Sequence, residues 1–309
     1  MAKTYQEVAA LTDVSFAVPK GSILALLGHN GAGKTTAVQI LSTLIPPSAG
    51  RALVAGFDVV EQATQVRESI GVTGQSACLD ELLTGRENLT LFGRLRGLRR
   101  KAALRRAGDL IEQFELGHAA DRPVQTYSGG MRRRVDIAIA LVSTPKVLFL
   151  DEPTTGLDPR SRRQVWELVS SLAAEGVTVL LTTQYLEEAD VLSDSIVILN
   201  AGRVVARGTA EELKARTGAT FCQVTLVHAR DIPHVSEALS GIDEVDVDEE
   251  TNTVSVRAAD GVGTLGEVVR RTEQLGVELI DISLRKPTLD EVFLHLTPAA
   301  AASRGALTP

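Results

Sequence analysis

Cysteine is scarce in this sequence, and that is its first constraint. The 309 residues hold two, Cys78 and Cys222, too few and too far apart for a disulfide framework or a zinc site. They fit a reducing cytosol, and equally a pair of buried thiols. Long apolar runs are missing as well. The most apolar stretches, such as residues 135–142 and 177–181, fall far short of the ~20 residues that span a bilayer. The chain is therefore not expected to cross a membrane unaided. Its opening, MAKTYQEVAALTDVSF, lacks the charged-then-apolar pattern of a secretion signal. Positive charge is not in excess: 32 Lys and Arg stand against 39 Asp and Glu, a net charge of −7, which argues against coating nucleic acid through bulk charge. His118, His228, His234 and His295 have no metal-ligand spacing and read as structural or surface residues. There is no internal repeat.

What is present is globular. The chain is 44% hydrophobic and 23% charged, ordinary for a soluble protein and long enough for two domains at ~150 residues each. Residues 14–18 alternate as Val-Ser-Phe-Ala-Val before Pro19-Lys20-Gly21, which predicts a strand and a turn. Residues 23–27, 147–150 and 177–182 are short apolar runs of the kind buried on both faces of a sheet. Helical patterns fall between and after them, at 34–44, 86–116 and 186–192, and at a helix with Val165, Leu168, Val169 and Leu172 on one face, Trp166 packed beside them and Gly176 as its stop. That alternation predicts an α/β domain with a largely parallel sheet. Residues 195–199 and 203–207 read as a closing hairpin, followed by a short helix with capping-box spacing at Thr209 and Glu212.

Composition changes near Gly218. The order beyond it is strand (221–227), helix (232–239), strand (245–247), strand (253–256), helix (263–274) and strand (278–284), which predicts a small ferredoxin-like α+β unit. A last helix has Thr288 as N-cap, Glu291 three residues on, and Leu289, Val292, Phe293 and Leu296 on its apolar face. The expected domains are thus 1–217 and 218–297, with an Ala-rich disordered tail at 298–309. Charge divides along the same line. Residues 1–217 carry 25 Lys and Arg against 24 Asp and Glu, whereas residues 218–309 carry 7 against 15.

Three motifs carry chemistry. Gly28-His29-Asn30-Gly31-Ala32-Gly33-Lys34-Thr35, running into Thr36, has phosphate-loop spacing between a strand and a helix. Glycines let successive backbone N–H groups converge on an anion, and the helix start aims its positive end there. Lys34 supplies charge for the phosphates, and the Thr35 hydroxyl is placed for Mg2+. The run at 147–150 then delivers Asp151 and Glu152 from a strand's carboxyl end, where α/β sheets place their ligands. Asp151 suits holding the metal through water, and Glu152 suits polarising an attacking water. Such a pair can also merely cap a helix, a reading that recedes beside a phosphate loop. Finally, Ser128-Gly129-Gly130 opens a helix bearing Arg132, Arg133 and Arg134 as a second anion nest, though alone it reads as an ordinary N-cap.

Over residues 5 to about 217 this set resembles the nucleotide-binding subunit of ABC transporters. The resemblance implies a P-loop NTPase fold with a helical subdomain at about 76–135, and ATP and Mg2+ as ligands. It makes residues 128–131 the signature loop for the γ-phosphate of an ATP held by a second copy, and Gln75 the residue that senses metal and water. It also places Asp158 in a loop crossing the dimer interface and Tyr5 in the role of stacking on adenine, although a single exposed tyrosine is an open alternative. Narrower features occur together: Tyr-Ser-Gly-Gly-Met-Arg-Arg-Arg at 127–134, Thr-Thr-Gln-Tyr-Leu-Glu-Glu-Ala-Asp at 182–190, and Leu-Arg-Lys-Pro-Thr-Leu-Asp-Glu-Val-Phe-Leu at 284–294. These resemble the daunorubicin-resistance type, found in actinobacterial exporters of antibiotics and lipids, and extend the match to about residue 297.

There are departures. Gln184 stands where the wider family has a γ-phosphate-contacting histidine; it keeps hydrogen bonding but cannot carry charge or shuttle a proton. Met131 replaces a glutamine and His29 a proline, and the edge strand expected ahead of Tyr5 is missing. The resemblance implies an ATPase subunit at the cytoplasmic face of the membrane, forming a head-to-tail dimer. Through a separate integral-membrane permease it drives export of hydrophobic drugs or lipids, with Glu152 and Gln184 as catalytic residues and no nucleic-acid partner. The alternatives are a regulatory switch with weak hydrolysis, motivated by Gln184, and a soluble ABC protein acting on ribosomes or DNA. The C-terminal domain is expected to support dimerisation or coupling. The stretch Arg94, Arg96, Arg99, Arg100, Lys101, Arg105 and Arg106 reads as a solvated face before a contact to anionic lipid.

Overall fold

The computed structural model describes residues 1–74, 79–216 and 220–296. Gln75 and the expected tail at 298–309 lie outside the described residues. Contacts divide the chain into two units, one over Met1–Ala210 and one beginning at Glu211.

The first unit opens with a small antiparallel pair, β1 (Lys3–Tyr5) and β2 (Val8–Leu11). The buried strand β3 (Ile23–Leu27) leads into α1 (Lys34–Leu41). A two-residue hairpin follows, β4 (Leu53–Val54) with β5 (Phe57–Asp58), then α2 (Ala63–Ser69) and β6 (Ile70–Thr73). Next come α3 (Gly85–Leu95), α4 (Arg100–Gln113) and α5 (Gly129–Ala140). The rest of the unit is β7 (Val147–Asp151), α6 (Pro159–Ala174), β8 (Thr178–Thr183), α7 (Leu186–Leu192), β9 (Ser195–Asn200) and β10 (Arg203–Gly208). The main sheet has the order β10-β9-β3-β8-β7-β6, parallel throughout except for the β9–β10 hairpin. Leu27 pairs with Thr183, Asp151 with Thr182, and Thr73 with Leu150, so the carboxyl ends of four strands meet at one edge. Leu24, Leu26, Ile40, Phe149 and Leu180 lie in the core cluster beneath that edge, each fully buried side chain of this kind contributing ~1.5–3 kcal/mol.

Two expectations are corrected. Residues 86–116 are two helices, because Gly97 takes a left-handed φ of 89° between them and no L residue does so at comparable ease. Gly93 also lets α3 approach Ala103 of α4, where an added Cβ would sit 3.0 Å from the alanine methyl. Residues 14–18 form no strand. Val14 exchanges backbone hydrogen bonds with Met1, at 2.8 and 2.9 Å, but alternation alone supplies no ladder to the residues that follow. The strands nearby are two to four residues long, too short for periodicity to reveal.

The second unit contains β11 (Phe221–Leu226), α9 (Ile232–Leu239), β12 (Val245–Asp248), β13 (Thr253–Arg257), α10 (Val262–Leu275), β14 (Leu279–Arg285) and α11 (Leu289–Leu296), with α8 (Ala210–Arg216) ahead of them. Its antiparallel order β12-β13-β11-β14 is the ferredoxin-like arrangement expected. Cys222 is buried in this core, and burial pushes its thiol up to about 11. The Thr288 cap forms as the spacing predicts: Glu291 N–H donates to Thr288 Oγ1 at 3.3 Å, and Thr288 N–H to Glu291 Oε2 at 2.7 Å.

Gly71 in β6 has no room for a side chain, because a Cβ would collide with the Ala140 carbonyl of α5. Gly71→Ala is therefore expected to cost about 1–3 kcal/mol by overpacking. A thermal or urea melt checks this; an unchanged midpoint would mean α5 is free to shift.

Candidate active site

The edge where the strands end is a cavity of about 830 Å3 lined by Asn30, Gly31, Gly33, Lys34, Thr35, Thr36, Gly129, Glu152 and Gln184, among others. The loop between β3 and α1 is shaped by glycine. Gly31 and Gly33 take left-handed φ values of 82° and 105°, and a Cβ on Gly33 would lie 2.6 Å from the Leu11 side chain. Gly28 is closed in by the Leu199 carbonyl at 2.6 Å from a would-be Cβ. His29 braces the loop, its Nε2 lying 2.9 Å from Asn200 Oδ1 at the end of β9, and Ala32 accepts a hydrogen bond from Gly202 N–H through its carbonyl at 3.1 Å. His29 and Ala32 thus hold the loop from behind while Asn30 and Gly31 face the cavity.

Lys34 is 5% exposed. Its ammonium donates to the carbonyls of Gly28 at 2.7 Å and His29 at 3.2 Å, and lies 3.7 Å from Glu152 Oε1. Burial pulls the amine below its ordinary value, and Glu152 and Asp151 draw it back upward. A cation so placed has two neutral carbonyl partners and one carboxylate at 3.7 Å, and an incoming phosphate competes well for it.

Glu152 has a left-handed backbone, φ 48°. For a residue other than glycine this costs roughly 1–2 kcal/mol, offset here because its N–H donates to both the carbonyl and Oγ1 of Thr182, each at 3.1 Å. Its carboxylate lies 3.7 Å from the Lys34 ammonium. Asp151, 4% exposed, accepts a hydrogen bond from the Thr182 hydroxyl. Gln184, half-buried, follows β8 and completes the wall.

The remaining expected residues are placed differently. Ser128 caps α5, accepting from Met131 N–H at 3.3 Å; Gly129 lines the cavity, and Gly130 packs on Ser161, whose Oγ would be 2.6 Å from an added Cβ. Asp158 caps α6, accepting from Arg160 and Ser161 N–H at 3.0 Å and from Ser161 Oγ at 2.6 Å, bonds that hold its carboxyl below the usual range. Tyr5 is 44% exposed on β1 with the Lys3 ammonium 5.3 Å from its ring centre, and it is not among the cavity-lining residues.

Hard oxygen donors fit magnesium: the Thr35 hydroxyl and the Asp151 carboxylate have that character, and magnesium commonly takes one or two carboxylates together with substrate phosphates and water. Among the described residues no cluster of three His, Cys, Asp or Glu could hold a metal.

Sequence reasoning missed several residues. Pro153, Thr155, Gly156 and Leu157 line the cavity because the chain after Glu152 folds back over it. Glu188 is fully buried under that turn, its Oε1 accepting from Thr154 Oγ1 at 2.9 Å and Trp166 Nε1 at 3.0 Å, and burial raises its carboxyl. Arg133 lines the same wall; an arginine followed by Asp136 at helical spacing was the available signal.

Comparison with known proteins agrees with this geometry. Residues 11–155 match the ABC transporter family, and residues 208–297 match the C-terminal domain of ATP-binding proteins like DrrA1-3. The chain is 52% identical over 301 residues to a doxorubicin resistance ATP-binding protein of Mycobacterium tuberculosis, covering 96% of this chain and 91% of that protein. It is 52% identical over 295 residues to a daunorubicin resistance ATP-binding protein of Streptomyces coeruleorubidus, covering 96% and 93%. Among solved structures, the ATP-binding subunit of an ABC transporter aligns with a TM-score of 0.62 at 32% identity over 70% of this chain and 90% of that one. A dimeric ATP-binding cassette in a post-hydrolysis state with ADP and Pi aligns at 0.61 and 26% identity, over 67% and 95%.

The position of Lys34 predicts a pH dependence. Its protonated form attracts an anion, so affinity for a polyphosphate should fall as pH rises through its lowered value, below the ordinary 10.5 of lysine. Calorimetric titration of pyrophosphate between neutral and alkaline pH checks this, and Lys34→Ala should flatten that part of the profile.

Proposed function

The chain belongs to the ABC transporter family of ATP-binding proteins, in its daunorubicin-resistance branch, and from that premise we propose that it binds and hydrolyses ATP to power an exporter of hydrophobic drugs or lipids. The observation that carries this reading is the convergence of Lys34, Glu152 and Gln184 on one cavity at the carboxyl ends of parallel strands. Among the described residues no helix is long and apolar enough to cross a membrane, so the pathway for cargo is assigned to a separate integral-membrane subunit, with this chain at its cytoplasmic face.

The loop from Gly28 to Thr36 cradles the phosphates, and Lys34 exchanges its contacts with Gly28 and His29 for phosphate oxygens. Thr35 and Asp151, with Gln75 from outside the described residues, hold Mg2+, which neutralises charge on the phosphates when bound. Glu152 accepts the proton of a water that attacks the γ-phosphorus as the bond to the β-phosphate oxygen breaks, leaving ADP and phosphate. Gln184 orients that water or the γ-phosphate by hydrogen bonding, without a charge of its own. Tyr5 stacks on adenine. Two copies face head to tail, Ser128, Gly129 and Gly130 of one closing on the γ-phosphate held by the other, with Asp158 at the crossing. The helix dipole and free N–H groups at the start of α5 suit that anion.

Glu152→Gln should retain ATP binding and lose turnover by about 100-fold or more, the scale of a general base; undiminished turnover removes Glu152 from that role. Lys34→Ala should weaken ATP binding itself by roughly 10- to 100-fold, the range of a hydrogen bond to a charged group. Both are read by equilibrium binding of a fluorescent ATP analogue beside steady-state phosphate release. Tight binding with no turnover in the unaltered protein, even with its membrane subunit present, would favour a nucleotide-driven switch.

A further inference from the structure

Arg133 lies five residues into α5 and contributes nothing to the phosphate loop, yet its side chain is only 11% exposed and every donor it has is used. A guanidinium carries five N–H groups. Nε donates to the Pro153 carbonyl at 2.8 Å. Nη1 donates to Asp136 Oδ2 at 2.9 Å and to the Gly74 carbonyl at 3.1 Å. Nη2 donates to Thr73 Oγ1 and to the Asp151 carbonyl, each at 3.2 Å. One side chain thus joins the first turns of α5, the end of β6 and the turn after β7.

The acceptors on that turn matter most. Asp151 and Pro153 are the residues on either side of Glu152, and Arg133 holds the carbonyl of each. The Glu152 N–H is held in turn by the carbonyl and hydroxyl of Thr182. The left-handed peptide that aims the carboxylate is therefore fixed at three points, two of them supplied by a residue of α5. A lysine has three donors and no fork, and a glutamine has two, so neither can span these acceptors. Burial disfavours the charge on Arg133 and Asp136 opposes that effect, which explains the pairing at helical spacing.

We propose that Arg133 is a positioning residue for hydrolysis, tying the Ser128-capped start of α5 and the end of β6 to the two carbonyls that flank Glu152. Engagement of that helix start by an anion is then felt at the carboxylate of the same chain, through one rigid planar group. The proposal rests on the reading of Glu152 as the base.

The test compares Arg133→Gln, Arg133→Lys and Asp136→Asn in the full chain, measuring kcat, KM, affinity for a fluorescent ATP analogue and thermal midpoint. Misplacing a catalytic group by about 1 Å can cost on the order of 100-fold, so Arg133→Gln should lose roughly 10- to 100-fold in kcat per folded molecule with nucleotide affinity within about twofold, and Arg133→Lys should fall between it and the parent. Asp136→Asn leaves the bonds to the other segments in place; it should lower the thermal midpoint and keep kcat within about threefold, because positioning and stability are then separable. A kcat for folded Arg133→Gln within about threefold of the parent overturns the proposal, as does an equal loss of kcat in Asp136→Asn. If Arg133→Gln does not fold, the order of Arg133→Lys and Asp136→Asn in kcat decides in the same way. Full turnover in Glu152→Gln is a distinct failure, that of the base assignment beneath the proposal.

Discussion

The parallel register of β6, β7, β8 and β3 is the constraint on which the site depends. Parallel strands have no tight connection between them, so each must return by a crossover, and their carboxyl ends fall on one side. With Leu27 opposite Thr183 and Asp151 opposite Thr182, the phosphate loop, the Asp151-Glu152 turn and Gln184 become neighbours although about 120 and 150 residues separate them in the chain. A shift of one residue in β7 would turn every side chain to the other face of the sheet.

Within that frame the electrostatics are local and opposed. Lys34 is buried far enough to weaken its charge and is kept charged by a carboxylate on the next strand but one. Asp151 and Glu152 are adjacent in sequence yet meet different partners, and the backbone at Glu152 is left-handed. Asp151 is turned toward Thr182 and Glu152 toward Lys34. Two carboxylates with distinct partners can take distinct roles, one beside a metal and one beside water.

What could be read from sequence was what is local. The phosphate loop announces itself because its glycines, lysine and hydroxyls are consecutive. The second unit was legible for a similar reason: β11 alternates half-buried and buried positions, β13 is a short β-branched run, and Thr288 and Glu291 form their cap at fixed spacing. Residues 14–18 failed the same reasoning, since a strand is defined by its neighbour and not by its own pattern. Arg133 was hidden because four of its five acceptors are 18 to 60 residues away and three of those are backbone carbonyls, which no side-chain motif records. Glu188 was hidden too, reading as one acidic residue in an acidic helix start while lying beneath Trp166.

The bend at Glu152 also bears on stability engineering. A survey of backbone comfort would mark this position for glycine or asparagine, residues that take positive φ at little cost. Either change would relax the peptide and remove the carboxylate, taking from Lys34 the counter-charge 3.7 Å away. Reach and backbone ease are set against each other at one residue, so, with Glu152 as the proposed base, a more stable variant found there would be a poorer catalyst. Thermostabilised forms intended to remain active must take their gains elsewhere in the chain.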